Sequence, residues 1–302
     1  MKDQKGVILV LAVSFMLVFT LLGLAIMNFA GFQGQGIVRK IASTRAFWIA
    51  EAGIQRAISH LSQDAPGFTL NDSLGQGNYN VNVVPISPVR WTIDSIGTEQ
   101  PISKEILVEY GPNIFKGLQS TGKQDINKEQ NVPSREEDVI LDFVEIFGFD
   151  LFSMTQAQKD TTPFGTNCIV AGKDVTYYPL TKPPGKLPIS YSGISFIDSQ
   201  TNAKTETLPN LDGSGLVIIQ VKPGTELSIN GGGNFNGIVW IQGELGGLGN
   251  TNIDGAVFVN CGTNRTTVSG DAEIYFNKGA IDDAFADLRI NKFAVVSWEE
   301  VK

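Results

Sequence analysis

Residues able to do chemistry are sparse in this 302-residue chain, and their spacing argues against a catalytic centre. There is one histidine, His60, and two cysteines, Cys168 and Cys261. So few imidazoles and thiols disfavour a His/Cys metal site or a histidine-based triad. Acids gather twice. Glu136, Glu137, Asp138 and Asp142 follow Ser134 as a helix start would have them, a capping residue with acids in the first turn that complement the helix dipole. Asp254, Asp271, Asp282 and Asp283 lie with Lys278 near the C-terminus, where a carbohydrate-cleaving site or a calcium site would draw on such groups. They form no EF-hand-type loop, and turn or cap roles account for each. The expectation is a chain that is not an enzyme, with no catalytic residue, no metal and no cofactor.

What positions everything else begins at the N-terminus. Lys2 and Lys5 precede Gly6, and no charge follows until Arg39. Val7 to Phe29 holds fifteen Val, Ile, Leu or Phe residues. At a helical rise of 1.5 Å per residue this stretch reaches roughly 34 Å, enough to cross a hydrocarbon core of about 30 Å. A cleaved secretory signal would have a shorter apolar region and a small-residue cleavage site after it. Here the apolar run passes into an amphipathic pattern instead. Ile37, Ile41, Phe47, Trp48, Ile54, Ile58 and Leu61 recur at three- and four-residue steps, with Arg39, Lys40, Arg45, Glu51 and Arg56 on other faces. With no proline before Pro66, residues 7–62 read as one helix, its 7–29 part transmembrane. Gly31, Gly34 and Gly36 are its weak points. Phe47, Trp48, Glu51, Ile54 and Ile58 are the candidate packing residues, with Glu51 spaced to pair with Arg56.

The basic leader ending in Gly6, the apolar helix from Val7 and its amphipathic continuation resemble a type IV prepilin. The segment RAFWIAEAGIQRAI (Arg45–Ile58) is similar to the AFxxAEAGI-type segment of the PilX family of type IV pilus assembly proteins. The resemblance covers about residues 1–62. It implies cleavage by a prepilin peptidase after Gly6 and N-methylation of Val7. It also implies a leader in the cytoplasm, a single pass through the bacterial inner membrane and a head outside the cytoplasm. Major pilins carry a glutamate five residues into the mature chain, where this one has Leu11. That departure points to a minor or priming subunit or a pseudopilin.

Beyond the helix, Ser62–Gly77 reads as a turn-rich linker. Over 78–110, the runs YNVNVV (Tyr79–Val84), WTIDSI (Trp91–Ile96) and KEILVEY (Lys104–Tyr110) alternate or are half-sided, as in a small antiparallel sheet packed on the helix. Residues 111–165 form a polar connector with one helix, at about 134–158. Residues 166–302 form a glycine-rich head; the chain has 33 glycines. Within it GLVIIQV (Gly215–Val221), GIVWIQG (Gly237–Gly243) and GAVFVNC (Gly255–Cys261) recur, each followed by a turn and a second short strand. Three such coils fit a parallel β-solenoid with Ile, Val, Trp and Phe stacked inward, an antiparallel sandwich being the alternative. Ala280–Leu288 reads as a helix capping the open coil and Phe293–Trp298 as a final strand. GDAEIYFNKGAI (Gly270–Ile281) and VVSWEEV (Val295–Val301) also resemble the C-terminal halves of PilX-like proteins. The fold class is therefore α+β: long helix, small antiparallel sheet, C-terminal β-solenoid-like domain. Outside the cytoplasm Cys168 and Cys261 can pair, or remain two buried thiols.

A net charge of −8 disfavours nucleic acid as a partner. The resemblance implies other pilins or pseudopilins, the inner-membrane assembly platform and prepilin peptidase as partners, with membrane lipid before assembly. A surface polysaccharide or a protein remains open as the ligand of the head. The expected function is a structural, assembly or adhesive component of a type IV filament system. The alternatives are a membrane-anchored extracellular carbohydrate-binding or carbohydrate-cleaving β-solenoid, and a self-polymerising cytosolic solenoid of bactofilin type.

Overall fold

A computed structural model describes residues 4–61, 67–112, 114, 116–127, 132–180, 187, 190–199, 203–262, 264–287 and 294–301. Of the expected leader 1–6, residues 1–3 lie outside these, as do Ser62–Pro66 of the expected linker, Leu288 of the expected cap and Phe293 of the expected last strand. The chain divides into two compact units, one of Met1–Val84, Ile93–Val108 and Trp298–Lys302, the other of Pro85–Thr92 and Glu109–Ser297.

The first unit is built on helix α1 (Gln4–Leu61), 58 residues without a break and about 87 Å long. Strands β1 (Phe68–Leu74), β2 (Gly77–Ser87), β3 (Arg90–Glu99) and β4 (Ile102–Gly111) follow. They lie in the order β1-β2-β3-β4 in a five-stranded sheet whose outer member is the chain's last strand. β1 and β2 are antiparallel, with Phe68 opposite Val83 and Leu74 opposite Gly77. Tyr79, Val81 and Val83 are buried and Asn78, Asn80 and Asn82 exposed, the alternation expected of a sheet with one face on a core. The expected linker thus contains strand β1.

The second unit is a parallel β-solenoid. Its elements in chain order are β5 (Leu118–Ser120), β6 (Gln124–Ile126), β7 (Arg135–Glu136), α2 (Phe143–Phe147), a single 3-10 turn at Leu151–Ser153, α3 (Gln156–Thr161), β8 (Thr166–Val170), β9 (Lys173–Leu180), β10 (Ile194–Ser199), β11 (Thr205–Leu208), β12 (Gly213–Gln220), β13 (Glu226–Ile229), β14 (Gly232–Gln242), β15 (Glu244–Gly247), β16 (Asn250–Asn260), β17 (Thr266–Val268), β18 (Glu273–Phe276) and α4 (Lys278–Asp287). β19 (Ala294–Val301) closes the chain and is the strand that flanks β4 in the five-stranded sheet. One solenoid sheet runs β7-β5-β16-β14-β12-β10-β9-β8, with β18 also paired to β16. The facing sheet runs β11-β13-β15-β17-β6.

The sequence repeats stack in register. Gly215, Gly237 and Gly255 are opposite one another, as are Val217, Val239 and Val257, and Gln220, Gln242 and Asn260. The three glycines have φ of 105°, 143° and 149°, and a methyl on Gly237 or Gly255 would strike the carbonyl of the glycine one coil earlier. Only a residue without Cβ fits this stacked corner.

Several expectations are corrected. The solenoid has about seven turns rather than three. The added rungs are β10, whose preceding Gly193 stacks on Gly215, β9, which has no leading glycine at that place, and β5 and β7, which lie upstream in sequence yet stack beyond β16. In place of one helix at about 134–158 there are β7, α2, the 3-10 turn and α3. Asp142, not Ser134, caps α2, its Oδ1 accepting from the Glu145 amide at 3.0 Å. The last strand joins the small sheet, and α4 lies on the β12-β14-β16 face instead of across a coil end.

Trp240 and Phe258 do not point into the solenoid. Val217, Ile219, Val239, Ile241, Val257 and Val259 fill the interior against Leu227, Ile229 and Leu245. Ile218, Trp240 and Phe258 alternate onto the outer face, where α2 and α4 cover them. Phe143 meets Trp240 edge-on at 5.2 Å, and Phe147 stacks with Phe285 at 5.9 Å. The near-continuous apolar runs of these strands are therefore those of a parallel sheet buried on both faces.

Candidate assembly helix

Two different surfaces occupy one continuous helix. From Leu11 to Ile41 its large apolar side chains are open to the surroundings; Phe19 is 69% exposed and Phe32 75%. The helix is long and apolar enough in this region to cross a membrane. From Ala42 onward one stripe turns inward: Ala42, Ala46, Ile49, Ala50, Gly53, Ile54, Ala57 and Leu61 are all buried, at the spacing of one helical face.

Small residues set how closely the helix meets its sheet. Gly97 on β3 lies so near the helix backbone that a methyl there would collide with the Ala46 carbonyl and the Ala50 amide. A methyl on Gly53 would meet the side chains of Ser95 and Val81. Ser95 Oγ donates to the Ala50 carbonyl at 2.7 Å, giving that buried hydroxyl its partner. Arg45 reaches Glu99 at 3.3 Å, but with the arginine 61% exposed the pair adds little.

The five residues singled out from the sequence do not share one role. Ile54 is 1% exposed and belongs to the contact with the chain's own sheet. Phe47 and Ile58 are half-buried, whereas Trp48 is 62% exposed. Phe47 packs edge-on against Trp48 at 5.4 Å and Trp298 at 5.7 Å. Glu51 accepts from Gln55 at 3.2 Å and from the Trp298 indole at 3.4 Å, in place of the expected pair with Arg56. Trp298 was the residue missed. Sequence placed it in a final strand of the solenoid-like region, and nothing local reveals that β19 returns to the small sheet. Gly6 and Val7 fall within the first turns of α1, and Leu11 stands exposed where a carboxylate would be in a major pilin.

In the second unit the candidate acids disperse into pairs. Arg90, 2% exposed, donates to both oxygens of Asp282 at 2.7 and 2.8 Å and to Glu109 at 2.8 Å. Ser87 donates to Asp282 at 2.8 Å, and Lys278 to Glu109 at 2.9 Å. Burial opposes ionisation of Glu109, but the two cations outweigh it and hold its carboxyl below the usual range. Asp254 accepts from Asn277 at 2.9 Å, and Asp283 is exposed. Among the described residues no three of His, Cys, Asp and Glu gather as metal ligands would.

Cys168 and Cys261 are both free thiols. Cys168 lies on β8 and Cys261 just past β16, five strand spacings apart in the sheet order, or roughly 24 Å. A disulfide needs Cα atoms within about 7 Å. The bond left open by the sequence is therefore corrected. Cys261 is instead buried beside Ser120, Thr266 and the Asn264 carbonyl.

No protein-family model matches the chain, and no curated protein matches it. Among solved structures, the crystal structure of the competence-associated pilin ComZ from Thermus thermophilus is similar at 11% sequence identity, over 86% of this chain and 97% of that one. The TM-score is 0.23, a level that carries no argument about function. The likeness to the PilX family rests on the residues quoted above.

Proposed function

We propose that this chain is a minor pilin or pseudopilin of the PilX type, a non-enzymatic subunit of a bacterial type IV filament system. The observation that carries the reading is the division of α1. The large apolar side chains of its Leu11–Ile41 part are exposed, while its Ala42–Leu61 part is fixed to a sheet of the same chain. An apolar rod of this kind is stable in lipid or among other such rods, so passing from one to the other keeps its surface away from water. Cleavage between Gly6 and Val7 removes Lys2, Asp3 and Lys5, the only charges ahead of Arg39. Leu11 offers no carboxylate to pair with a neighbour's N-terminal amine, which suits an initiating or tip position. Trp48 and Trp298 extend the exposed apolar surface beside the packed half of the helix and supply lateral contacts to adjoining subunits. The partners on this reading are other pilins, the inner-membrane assembly platform and prepilin peptidase.

Mass spectrometry of the native N-terminus tests it. The expected mature chain begins at N-methylated Val7, and Gly6→Ala leaves the chain uncleaved and confined to the membrane. A native chain that begins at Met1 and reaches the cell surface uncut would overturn the reading.

A further inference from the structure

Three successive solenoid coils turn one corner together and open a cleft of about 360 Å³. It is lined by Gln220, Gln242 and Asn260, the last residues of β12, β14 and β16, and by Lys222, Glu244 and Asn264 beyond them. Gln220, Gln242 and Asn260 occupy the same register position on adjacent strands, so their amides repeat at about 4.8 Å along the stack.

These amides differ from the solenoid's other stacked amides. On the opposite half of the same strands Asn252 donates to Asn234 at 3.1 Å, a ladder that satisfies itself. The corner amides make no bond to one another. Gln220 accepts from Lys159 at 3.5 Å, Gln242 accepts from the Trp240 indole at 3.4 Å, and Asn260 donates to the Leu141 carbonyl at 3.5 Å. All three are long contacts, and they leave the amide nitrogens of Gln220 and Gln242 and the Oδ1 of Asn260 without a partner among the described residues. Each of the three residues is half-buried, and all three line the cleft.

The chemistry of the lining selects among ligands. No aromatic ring lines the cleft, and its polar side chains outnumber the apolar ones of Val221, Pro223 and Cys261. Lys222 and Glu244 bring one charge of each sign, and Glu244 already accepts from Asn264, so there is no excess of either charge for a polyion. A row of groups that both donate and accept, repeating at close to the length of a pyranose unit, matches the hydroxyl pairs of an extended sugar chain. We propose that this corner binds a neutral linear polysaccharide, with three consecutive sugars seated on Gln220, Gln242 and Asn260 and the chain running along the solenoid axis. The site stands independently of filament assembly, because none of its residues lies on α1.

The test uses the full chain in a non-glycosidic detergent, titrated calorimetrically with neutral cello-, chito- and manno-hexaoses. Binding of at least one is expected, with affinity nearly unchanged between low and high salt. Gln242→Ala should weaken it about tenfold, as loss of the central amide contacts would, with the melting temperature unchanged. Gln220→Leu, which keeps the bulk and removes the amide, should do the same. No binding of any neutral hexaose overturns the proposal. So does binding that survives both substitutions, or binding that appears only for charged glycans. Normal processing at Gly6 with no sugar binding would remove this site and leave the filament reading untouched.

Discussion

Arg90 shows how much of the second unit's polar chemistry is structural. The guanidinium is almost wholly buried, paired to Asp282 and Glu109, with Lys278 sharing the second acid. A buried ion pair of this kind adds little over a well-packed apolar substitute, but removing one member strands the other. Arg90→Ala is expected to lower stability by about 3–5 kcal/mol in chemical unfolding, and the pair Arg90→Met with Asp282→Leu to recover most of that loss. Acid should act at the same place. The folded state holds the Glu109 carboxyl below its unfolded range of about 4.3, so its contribution is complete above that pH and is lost as pH falls through the lower folded value. Stability of the wild-type chain should therefore drop below about pH 4.3 more steeply than that of a Glu109→Gln variant. None of this was legible in the sequence. Asp282 reads there as one more acid in a turn-rich stretch, and its partner lies far upstream.

At the scale of elements, the legible features were those with a period. The apolar span, the amphipathic half of α1 and the glycine-led repeats of β12, β14 and β16 each repeat often enough to be read without a structure. What escaped was whatever depends on chain return. β5 and β7 become solenoid rungs because Leu118 and Gln119 add in register beside Val257 and Phe258, far along the chain. β19 goes to the small sheet for the same kind of reason. Trp240 and Phe258 read as inward from sequence because an unbroken apolar run does not say which face is interior, and helices covering the outer face are not visible in the strands. Small residues can be tested at this scale. Gly97→Val should push α1 from its sheet, at a cost of about 1–3 kcal/mol, because the new side chain meets helix backbone and not a movable side-chain end. Hydrogen exchange should then rise over Ala42–Leu61 and stay unchanged in the solenoid strands. Equal protection in both proteins would show that the close approach is not needed.

For the whole molecule, the fold class read from sequence holds: long helix, antiparallel sheet and parallel solenoid. The functional reading depends on what the helix touches once the leader is gone. Copies carrying Met16→Cys or Phe32→Cys, both positions open in the isolated chain, report that contact directly. Cells would be oxidised, filaments sheared from the surface, and products compared with those of the chain carrying only Cys168 and Cys261. Disulfide-linked species joining this chain to another filament subunit through Met16→Cys or Phe32→Cys, in the sheared fraction, are the predicted result. Sheared filaments free of this chain, with every crosslink confined to the membrane fraction, would contradict it.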